Sequence, residues 1–297
     1  MRFGLFGTGP WAHLAHAPAL AAQESVEFVG VWGRNPDKAA ELAGQYGAKP
    51  YAEVDDLIAD VDAVAIALPP DVQAPIALRA ARAGKHLLLD KPVAFTTAEA
   101  DEIVAAVAER DLASVVFFTR RLMPQVKEFV AEARQTGGWL EGRVDHVGSI
   151  FTEGNPFGGS PWRKESGGLW DVGPHAFALL LPILGPVTEV TAMAGPRDMT
   201  HLLARHADGA ISSLTLSVDA PPAAAREEAV IAGEAGVRPV PAVRWNPVEA
   251  LGWAIGELVA AAGGGPQPEL DVRFGARVTA ILAACQEAIR TGRTIKV

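Results

Sequence analysis

The sequence predicts an α/β protein with a doubly wound parallel sheet in its first part and an α+β arrangement with a mostly antiparallel open sheet in its second. Up to about residue 118, runs that are apolar throughout alternate with helical patterns, which is typical of parallel strands covered on both faces. From Val187 to Val218, apolar and polar residues alternate, as in strands buried on one face. A chain of 297 residues is long enough for two domains, predicted at 1–118 and 119–297.

In the first domain the apolar runs predict strands, namely RFGLFG, VEFVGVW, DAVAIAL, KHLLLD and SVVFF. The helical patterns between them include NPDKAAELAGQYG, VQAPIALRAARAG and TTAEADEIVAAVAERD. Thr96 and Glu99 fit a capping box at the start of the last of these helices. The alternation of strand and helix predicts a doubly wound sheet.

The second domain has a different pattern. MPQVKEFVAEARQTGG predicts a linking helix and GGLWDVGPHAFALLLPILG a buried one. THLLARH and AISSLTLSV predict strands joined by a turn at Ala207-Asp208-Gly209, with His201 and His206 expected in solvent. Residues 219–245 are rich in Pro, Gly and Ala and receive no assignment, whereas VRFGARVTAILAACQEAIRTG predicts a final helix before a strand-like RTIKV.

Composition excludes several classes of protein. A net charge of -9, with no Lys/Arg run interleaved with aromatic residues, argues against nucleic-acid binding. The apolar runs are shorter than the ~18 residues that a membrane helix needs, and the start of the chain does not resemble a signal peptide. The single cysteine, Cys285, is expected to be buried in a helix and fits a reducing cytoplasm. His13 and His16 lack a clustered third ligand, so we expect no metal.

The segment Gly7-Thr8-Gly9-Pro10-Trp11-Ala12 fits the pattern G-x-G-x-x-A. It follows a predicted strand and opens a helix, which is the context of a dinucleotide-binding (Rossmann) site. The first glycine makes a tight turn, the second admits pyrophosphate, and the small alanine allows close helix packing. Trp11 is expected either near the pyrophosphate or in simple packing contact.

The end of the second strand indicates which dinucleotide binds. An NAD site usually has an acidic residue there for the ribose 2′-hydroxyl, but this chain has Trp32-Gly33-Arg34-Asn35. Gly33 leaves room for a 2′-phosphate, and Arg34 can bind it, so NADP is favoured over NAD; the alternative is a solvated arginine. The predicted cofactor-binding set is completed by Asn35, Leu68, Pro69, Asp90 and Lys91.

Lys91 follows the strand KHLLLD, at an edge where open α/β sheets place their ligands. A lysine there can hydrogen-bond ribose and substrate hydroxyls and influence a proton transfer electrostatically. From the residues alone, Asp90 and Lys91 could equally form a surface ion pair.

The glycine loop, AGKHLLLDKPVA and SGGLWDVGPHAFALLLPILG recur in the order found in the Gfo/Idh/MocA oxidoreductases, which the whole chain resembles. The resemblance implies a Rossmann domain, and a C-terminal sheet that forms a homodimer or homotetramer. It implies that Lys91 lies beside the nicotinamide ribose and substrate, and that Asp171 and His175 are the family's acid and histidine in D-x-G-x-H. The chain departs from the family at Gln73, where a histidine is common.

Further substrate-binding candidates rest on the same resemblance. Trp162 and Arg163 resemble a Trp-Arg pair bordering the substrate pocket, where Arg163 binds a polar or anionic group unless it has a surface role. Arg120, with Arg121 beside it, matches a position that often holds an arginine near substrate, and an ion pair linking the domains is the alternative.

Chemistry supports His175 as the residue that exchanges a proton with substrate. Oxidation of a carbinol removes a hydride to nicotinamide and a proton from oxygen, which a histidine titrating near neutrality can accept. In a helix, Asp171 and His175 would share one face, with Gly173 and Pro174 between them. The sequence thus predicts an NAD(P)-dependent oxidoreductase acting on a sugar, polyol or related hydroxy or carbonyl compound. A dihydrodiol- or imine-reducing enzyme and a catalytically silent dinucleotide-binding sensor are the alternatives.

Overall fold

The structure, a computed structural model, describes residues 1–244 and 246–297; Trp245 lies outside the described residues. The chain divides into two compact units. Because the segment 246–277 belongs to the unit that begins at Met1, the units differ from the two consecutive domains predicted above.

The first unit consists of residues 1–122 and 246–277. In the described part of the chain its sheet is six-stranded and parallel, in the order β3-β2-β1-β4-β5-β6, which confirms the predicted doubly wound sheet. The strands are β1 (Arg2–Phe6), β2 (Glu27–Trp32), β3 (Lys49–Tyr51), β4 (Ala63–Ile66), β5 (His86–Asp90) and β6 (Ser114–Phe117). β3 was not predicted, because Lys49 and Pro50 are exposed and the strand lacks an apolar run.

The helices of this unit begin where the sequence places their caps. The Asn35 side chain caps one helix, and Thr96 Oγ1 caps another by accepting from the Glu99 amide (3.2 Å), which is the first bond of the predicted capping box. Thr96 Oγ1 also donates to the Glu99 carboxylate (2.7 Å). The helices are α1 (Ala17–Ala21), α2 (Pro36–Gln45), α3 (Val54–Ala59), α4 (Pro70–Arg82) and α5 (Thr97–Glu109); a π-helical turn (Ala12–His16) precedes α1.

The segment 246–277 completes the first unit. α9 (Pro247–Ala262), a helix that the sequence patterns above do not predict, packs against β5, β6 and α1. The carbonyl of Leu270 accepts a hydrogen bond from Val116 N (2.7 Å), so the edge strand β6 is covered by the returning chain. α10 (Val272–Thr291) then begins, at the position of the predicted final helix.

The second unit contains the mostly antiparallel sheet that the sequence predicts. Among the described residues it has seven strands in the order β12-β11-β7-β10-β9-β8-β13, and the β7/β10 pair is parallel. The strands are β7 (Trp139–Val147), β8 (Val187–Ala194), β9 (Thr200–His206), β10 (Ile211–Ser217), β11 (Arg226–Gly233), β12 (Gly236–Pro239) and β13 (Ile295–Lys296).

Helices cover one face of this sheet. They are α6 (Pro124–Thr136), α7 (Pro161–Asp171) and α8 (Gly173–Leu184), and α8 packs on β7 and β10. Pro161–Leu184 is long and apolar enough to span a membrane by composition, but 83% of its most apolar window is buried inside the protein, as in a core helix. The other face of the sheet carries exposed side chains, including Met193 and Leu203.

One strand residue differs from its prediction. His206, expected in solvent, is 1% exposed. Its Nδ1 lies 2.8 Å from the carbonyl oxygen of Gly185 and its Nε2 lies 3.0 Å from Ser212 Oγ, so both ring nitrogens are bonded inside the fold. Burial lowers the pKa of this imidazole. His201 is exposed, as predicted.

Candidate active site

The first glycine of the loop is required by the fold itself. Gly7 directly follows β1 with a φ of +131°, a conformation that side chains rarely adopt. Its amide donates to the carbonyl of Trp32 (2.8 Å), and an added Cβ would collide with the carbonyl oxygen of Ala67. The tight turn predicted for Gly7 is therefore present between β1, β2 and β4.

Neither backbone conformation nor packing among the described residues explains why position 9 is a glycine. It is exposed, its φ is ordinary, and no atom of the described residues lies within 4 Å of the position that a Cβ would occupy. The helix starts immediately after it, and the amide of His13 donates to the Gly9 carbonyl (3.3 Å). An open backbone at a helix N-terminus, at the carboxyl edge of a parallel sheet, fits the pyrophosphate of a dinucleotide.

Gly33 differs in part from its sequence interpretation. An added Cβ would lie 2.6 Å from Thr8 Cγ2, so close packing against Thr8 explains this glycine without any phosphate. Arg34 is exposed at the entrance to α2. The Asn35 side chain accepts from the amides of Asp37 (3.0 Å) and Lys38 (3.1 Å), which fixes the backbone on which Arg34 sits.

The segment after β5 is held by Gln73 of α4. This side chain is fully buried; its Nε2 donates to the carbonyl oxygens of Asp90 (2.8 Å), Pro92 (3.0 Å) and Val93 (3.2 Å). Its Oε1 accepts from the amide of Asp90 (2.8 Å). Lys91 is partly exposed, and its amide donates to the Asp90 carboxylate (2.9 Å). One amide side chain therefore fixes the backbone on both sides of Lys91.

The remaining predicted residues of the first unit lie around the same sheet edge or just beyond it. Leu68 and Pro69 form the partly exposed turn between β4 and α4. Trp11 stacks on Phe117, at the end of β6, with ring centroids 6.2 Å apart. Arg121 is 4% exposed and pairs with Glu269 (2.9 Å), an ion pair inside the first unit, whereas Arg120 is partly exposed.

In the second unit, Asp171 is bound by Arg163. Both residues belong to α7, where Arg163 Nε donates to Asp171 Oδ2 (2.9 Å) and Asp171 is 7% exposed. The guanidinium also lies over the rings of Trp162 (4.5 Å) and Phe157 (5.2 Å). A planar cation held between aromatic rings and a carboxylate is fixed in place, so its charge is balanced by Asp171.

His175 lies on the first turn of α8 and is partly exposed. Its amide donates to the carbonyl of Val172 (3.1 Å), so the backbone from Asp171 to His175 is helical on both sides of Val172. The Asp171 carboxylate and the His175 imidazole thus belong to adjacent helical turns, as the D-x-G-x-H spacing predicts.

His146 of β7 was not among the predicted residues. Its ring centroid lies 6.1 Å from that of His175. The contact follows from packing: an added Cβ on Gly142 would meet Leu180 and Leu184, so the end of α8 lies over Gly142 and its start reaches His146. β7 was not recognised because its sequence, WLEGRVDHV, has exposed charges on one face and few apolar residues on the other.

In the residues that the structure describes, no group of three or more His, Cys, Asp and Glu side chains could hold a metal ion.

Two family models match this chain. Residues 1–118 match the Gfo/Idh/MocA oxidoreductase family with its NAD-binding Rossmann fold, and residues 130–237 match the Gfo/Idh/MocA C-terminal domain. The chain belongs to the Gfo/Idh/MocA oxidoreductase family. The predicted resemblance is confirmed, and with it the assignment to NAD-binding oxidoreductases.

Three of the curated relatives are named as dehydrogenases. A UDP-N-acetylglucosamine 3-dehydrogenase of Acidithiobacillus ferrooxidans is 33% identical over 127 residues, 43% of this chain and 40% of that protein. A 4-carboxy-2-hydroxymuconate-6-semialdehyde dehydrogenase of Sphingobium is 29% identical over 73% of this chain and 72% of its own. An inositol 2-dehydrogenase of Rhizobium meliloti is 30% identical over 65% of this chain and 58% of its own.

Solved structures share the fold. The WlbA dehydrogenase of Bordetella pertussis, in complex with NADH and UDP-GlcNAcA, has a TM-score of 0.88 at 23% identity, covering 100% of this chain and 98% of that one. GenD2 from gentamicin A biosynthesis, in complex with NAD, has a TM-score of 0.86 at 22% identity, covering 100% and 96%. At these identities the likeness supports the family's fold and leaves the substrate open.

Proposed function

We propose that this protein is an NAD(P)-dependent dehydrogenase or reductase that transfers a hydride between nicotinamide and a carbinol or carbonyl carbon. The observation that carries the proposal is the partly exposed His175 on the helical turn after the partly buried Arg163–Asp171 pair. A sugar, polyol or related compound is the proposed substrate. Relatives named for UDP-N-acetylglucosamine and inositol support that class.

The cofactor, when bound, supplies the carbon that accepts or donates the hydride. The open backbone at Gly9 and the helix that follows it bind the pyrophosphate. Lys91 binds the nicotinamide ribose and a substrate hydroxyl, on a backbone that Gln73 holds still. The residues proposed for acid–base catalysis, Asp171 and His175, belong to the second unit.

His175 accepts the proton of the substrate hydroxyl during oxidation and returns it during reduction. The Asp171 carboxylate is paired with the guanidinium of Arg163 (2.9 Å), one helical turn before the imidazole. This ion pair fixes the helical turn from which His175 follows, and so holds the imidazole in position for the proton transfer. Arg163 and Trp162 then act by holding Asp171.

The experiment compares His175→Ala with His201→Ala, whose histidine is exposed on β9. Turnover of a panel of sugars and polyols is followed by nicotinamide absorbance. His175→Ala is expected to lower kcat by roughly 10²- to 10⁴-fold, the usual contribution of a general base, with cofactor affinity unchanged. Undiminished turnover in His175→Ala would remove the histidine from the mechanism.

A second proposal is that NADP is preferred over NAD through Arg34. Its support is the exposed cation two residues after the end of β2, on a backbone fixed by the Asn35 cap. Fluorescence titration should give NADPH an affinity about tenfold or more above NADH, as expected for a charge-assisted hydrogen bond. Arg34→Ala should abolish the preference for NADPH, and Arg110→Ala, at another exposed site, should keep it. Equal affinities of the parent protein for NADPH and NADH would contradict the assignment to NADP.

We also propose that the protein assembles as a homodimer or homotetramer through the open face of the second sheet, and that it works in the cytoplasm. Exposed Met193 and Leu203 on that face support the assembly. The buried thiol of Cys285 is compatible with a reducing compartment.

A further inference from the structure

The loop between β8 and β9 contains Asp198, whose carboxylate bonds to other parts of the second unit. Asp198 Oδ2 accepts from the amides of Gly168 (2.8 Å) and Val218 (2.8 Å). Asp198 Oδ1 accepts from the hydroxyl of Ser217 and the amide of Asp219 (3.1 Å). This partly buried side chain therefore joins α7 to the end of β10.

The bond to Gly168 meets a specific need of the helix. Gly167, with a φ of 63° and a ψ of -165°, breaks α7, so the helix starts anew at Gly168. The Gly168 carbonyl then accepts from Val172 N (2.9 Å). A new helical start leaves amides without intrahelical acceptors, and the Asp198 carboxylate takes one of them at the positive end of the helix dipole.

The restarted helix leads directly to the proposed catalytic groups. Asp171 follows Gly168 by one turn, and His175 by two. An added Cβ on Gly168 would lie 2.5 Å from the Cα of Ser217, so the turn is pressed against β10 at the point where Asp198 bonds to both. The Asp198 side chain thus bonds the start of this turn to the strand on which it packs.

We propose that Asp198 is a positioning residue of the active site, acting as an N-cap supplied by a distant loop. It holds the Gly168–Asp171 turn against β10 and thereby sets the positions of Asp171 and His175. The proposal rests on the proposed function for its catalytic consequence, whereas the capping itself is independent of activity.

The test uses Asp198→Asn, in which an amide group replaces one acceptor oxygen. Asp219→Asn is the matched control, because it breaks the ion pair with Arg197 (3.2 Å) in the same cluster and leaves the Gly168 bond intact. Hydrogen exchange of the 166–175 backbone should become at least about tenfold faster in Asp198→Asn and not in the control, as expected when a helix start loses its cap.

The catalytic arm measures kcat, KM and the pH profile of kcat. Asp198→Asn is expected to lower kcat by about ten- to a hundredfold, with a smaller change in KM and an altered pH profile, because misplaced groups lose turnover. Asp198→Glu, which restores the charge, should recover part of the loss. If Asp198→Asn does not fold, the Asp198→Glu variant is compared with the parent instead, because its longer side chain displaces the carboxylate and should give smaller changes of the same sign in both exchange and kcat.

The two arms separate the possible failures. Unchanged exchange in Asp198→Asn overturns the capping role, and faster exchange with parental kcat and pH profile overturns the positioning role. If the parent protein turns over no sugar or polyol while exchange responds as expected, the proposed function fails and the cap stands.

Discussion

At the scale of single residues, burial decides the chemistry of His16. The side chain is fully buried in the π-helical turn, with its ring edge against Phe117 (centroids 6.1 Å apart, planes at 81°). Neither ring nitrogen has a hydrogen-bond partner among the described residues. Desolvation lowers the pKa of His16 to about 3, so the folded protein keeps this imidazole neutral.

This burial predicts an acid-sensitive fold. Below pH 6.5 the unfolded chain binds a proton at His16, whereas in the folded chain His16 stays unprotonated until about pH 3. The free energy of unfolding therefore falls as the pH falls from 6.5 to about 3. Relative to the parent, His16→Leu should gain up to about 1.4 kcal/mol per pH unit between pH 6 and pH 4.

Urea unfolding at several pH values measures that difference. His13→Leu, on the same turn but partly exposed, is the control. Any packing change cancels, because only the slope of stability against pH is compared. Parallel stability curves for His16→Leu and the parent would show that the buried histidine does not govern acid stability.

Gln73 provides a second prediction for one residue. In Gln73→Leu, the Asp90 amide and the three carbonyls that Gln73 now binds would lose these hydrogen bonds in a buried or partly buried region. The free energy of unfolding should fall by about 2 kcal/mol or more, since each unsatisfied buried group costs about 1–3 kcal/mol. Gln135→Leu, at an exposed helix position, should change the free energy of unfolding by less than about 0.5 kcal/mol. Equal losses of stability in the two variants would contradict the role of Gln73 in holding the backbone around Lys91.

Local sequence patterns predict some site residues and not others. The glycine loop and the D-x-G-x-H spacing are short-range patterns, so the sequence alone suffices to propose Gly7, Gly9 and His175 as site residues. His146 and Asp198 reach their partners across strands and loops distant in the chain. The local sequence around His146 and Asp198 therefore does not predict these contacts.

At the scale of elements, continuous apolar runs made prediction straightforward. β1, β4 and β5 are apolar and largely buried and were predicted, as was β10, whose Leu214 and Leu216 are buried. β7 and β11 mix charged residues with small ones, because one face lies in solvent. Their pairing with neighbouring strands, which the local sequence does not contain, makes them strands.

Two glycines in the helices after residue 246 should respond oppositely to alanine. An added Cβ on Gly275 of α10 would lie 2.5 Å from Val93 Cγ2 and 2.9 Å from Val116 Cγ2, both stiff β-branched side chains. Gly256 of α9 has no atom of the described chain within 4 Å of that position. Gly275→Ala should cost about 1–3 kcal/mol, and Gly256→Ala should add about 0.5–1 kcal/mol.

Thermal or urea unfolding of the two variants measures these changes. The opposite signs make each variant the control for the other, since both replace a helical glycine by the same residue. Stabilisation by Gly275→Ala would mean that α10 does not pack closely on Val93 and Val116.

At the scale of the whole molecule, the open face of the second sheet is the most distinctive surface. Met193 is 73% exposed and Leu203 is 53% exposed. The register pairs Met193 with His201 and Leu203 with Thr191, so these side chains share one face. Ion pairs such as Arg205–Glu189 (2.7 Å) flank them. An apolar centre with charged surroundings is the usual composition of a protein interface.

If copies of the chain meet through this face, Leu203→Glu should separate them. A carboxylate at the centre of the interface would be buried without a partner, which costs several kcal/mol, and every 1.4 kcal/mol weakens association about tenfold. Light scattering after size exclusion should then give the mass of one chain for Leu203→Glu and a multiple of it for the parent. Leu14→Glu, at an exposed apolar position of the first unit, should keep the parental mass. A parent that elutes as a single chain, or a Leu203→Glu variant that keeps the parental assembly, would rule out this face as the interface.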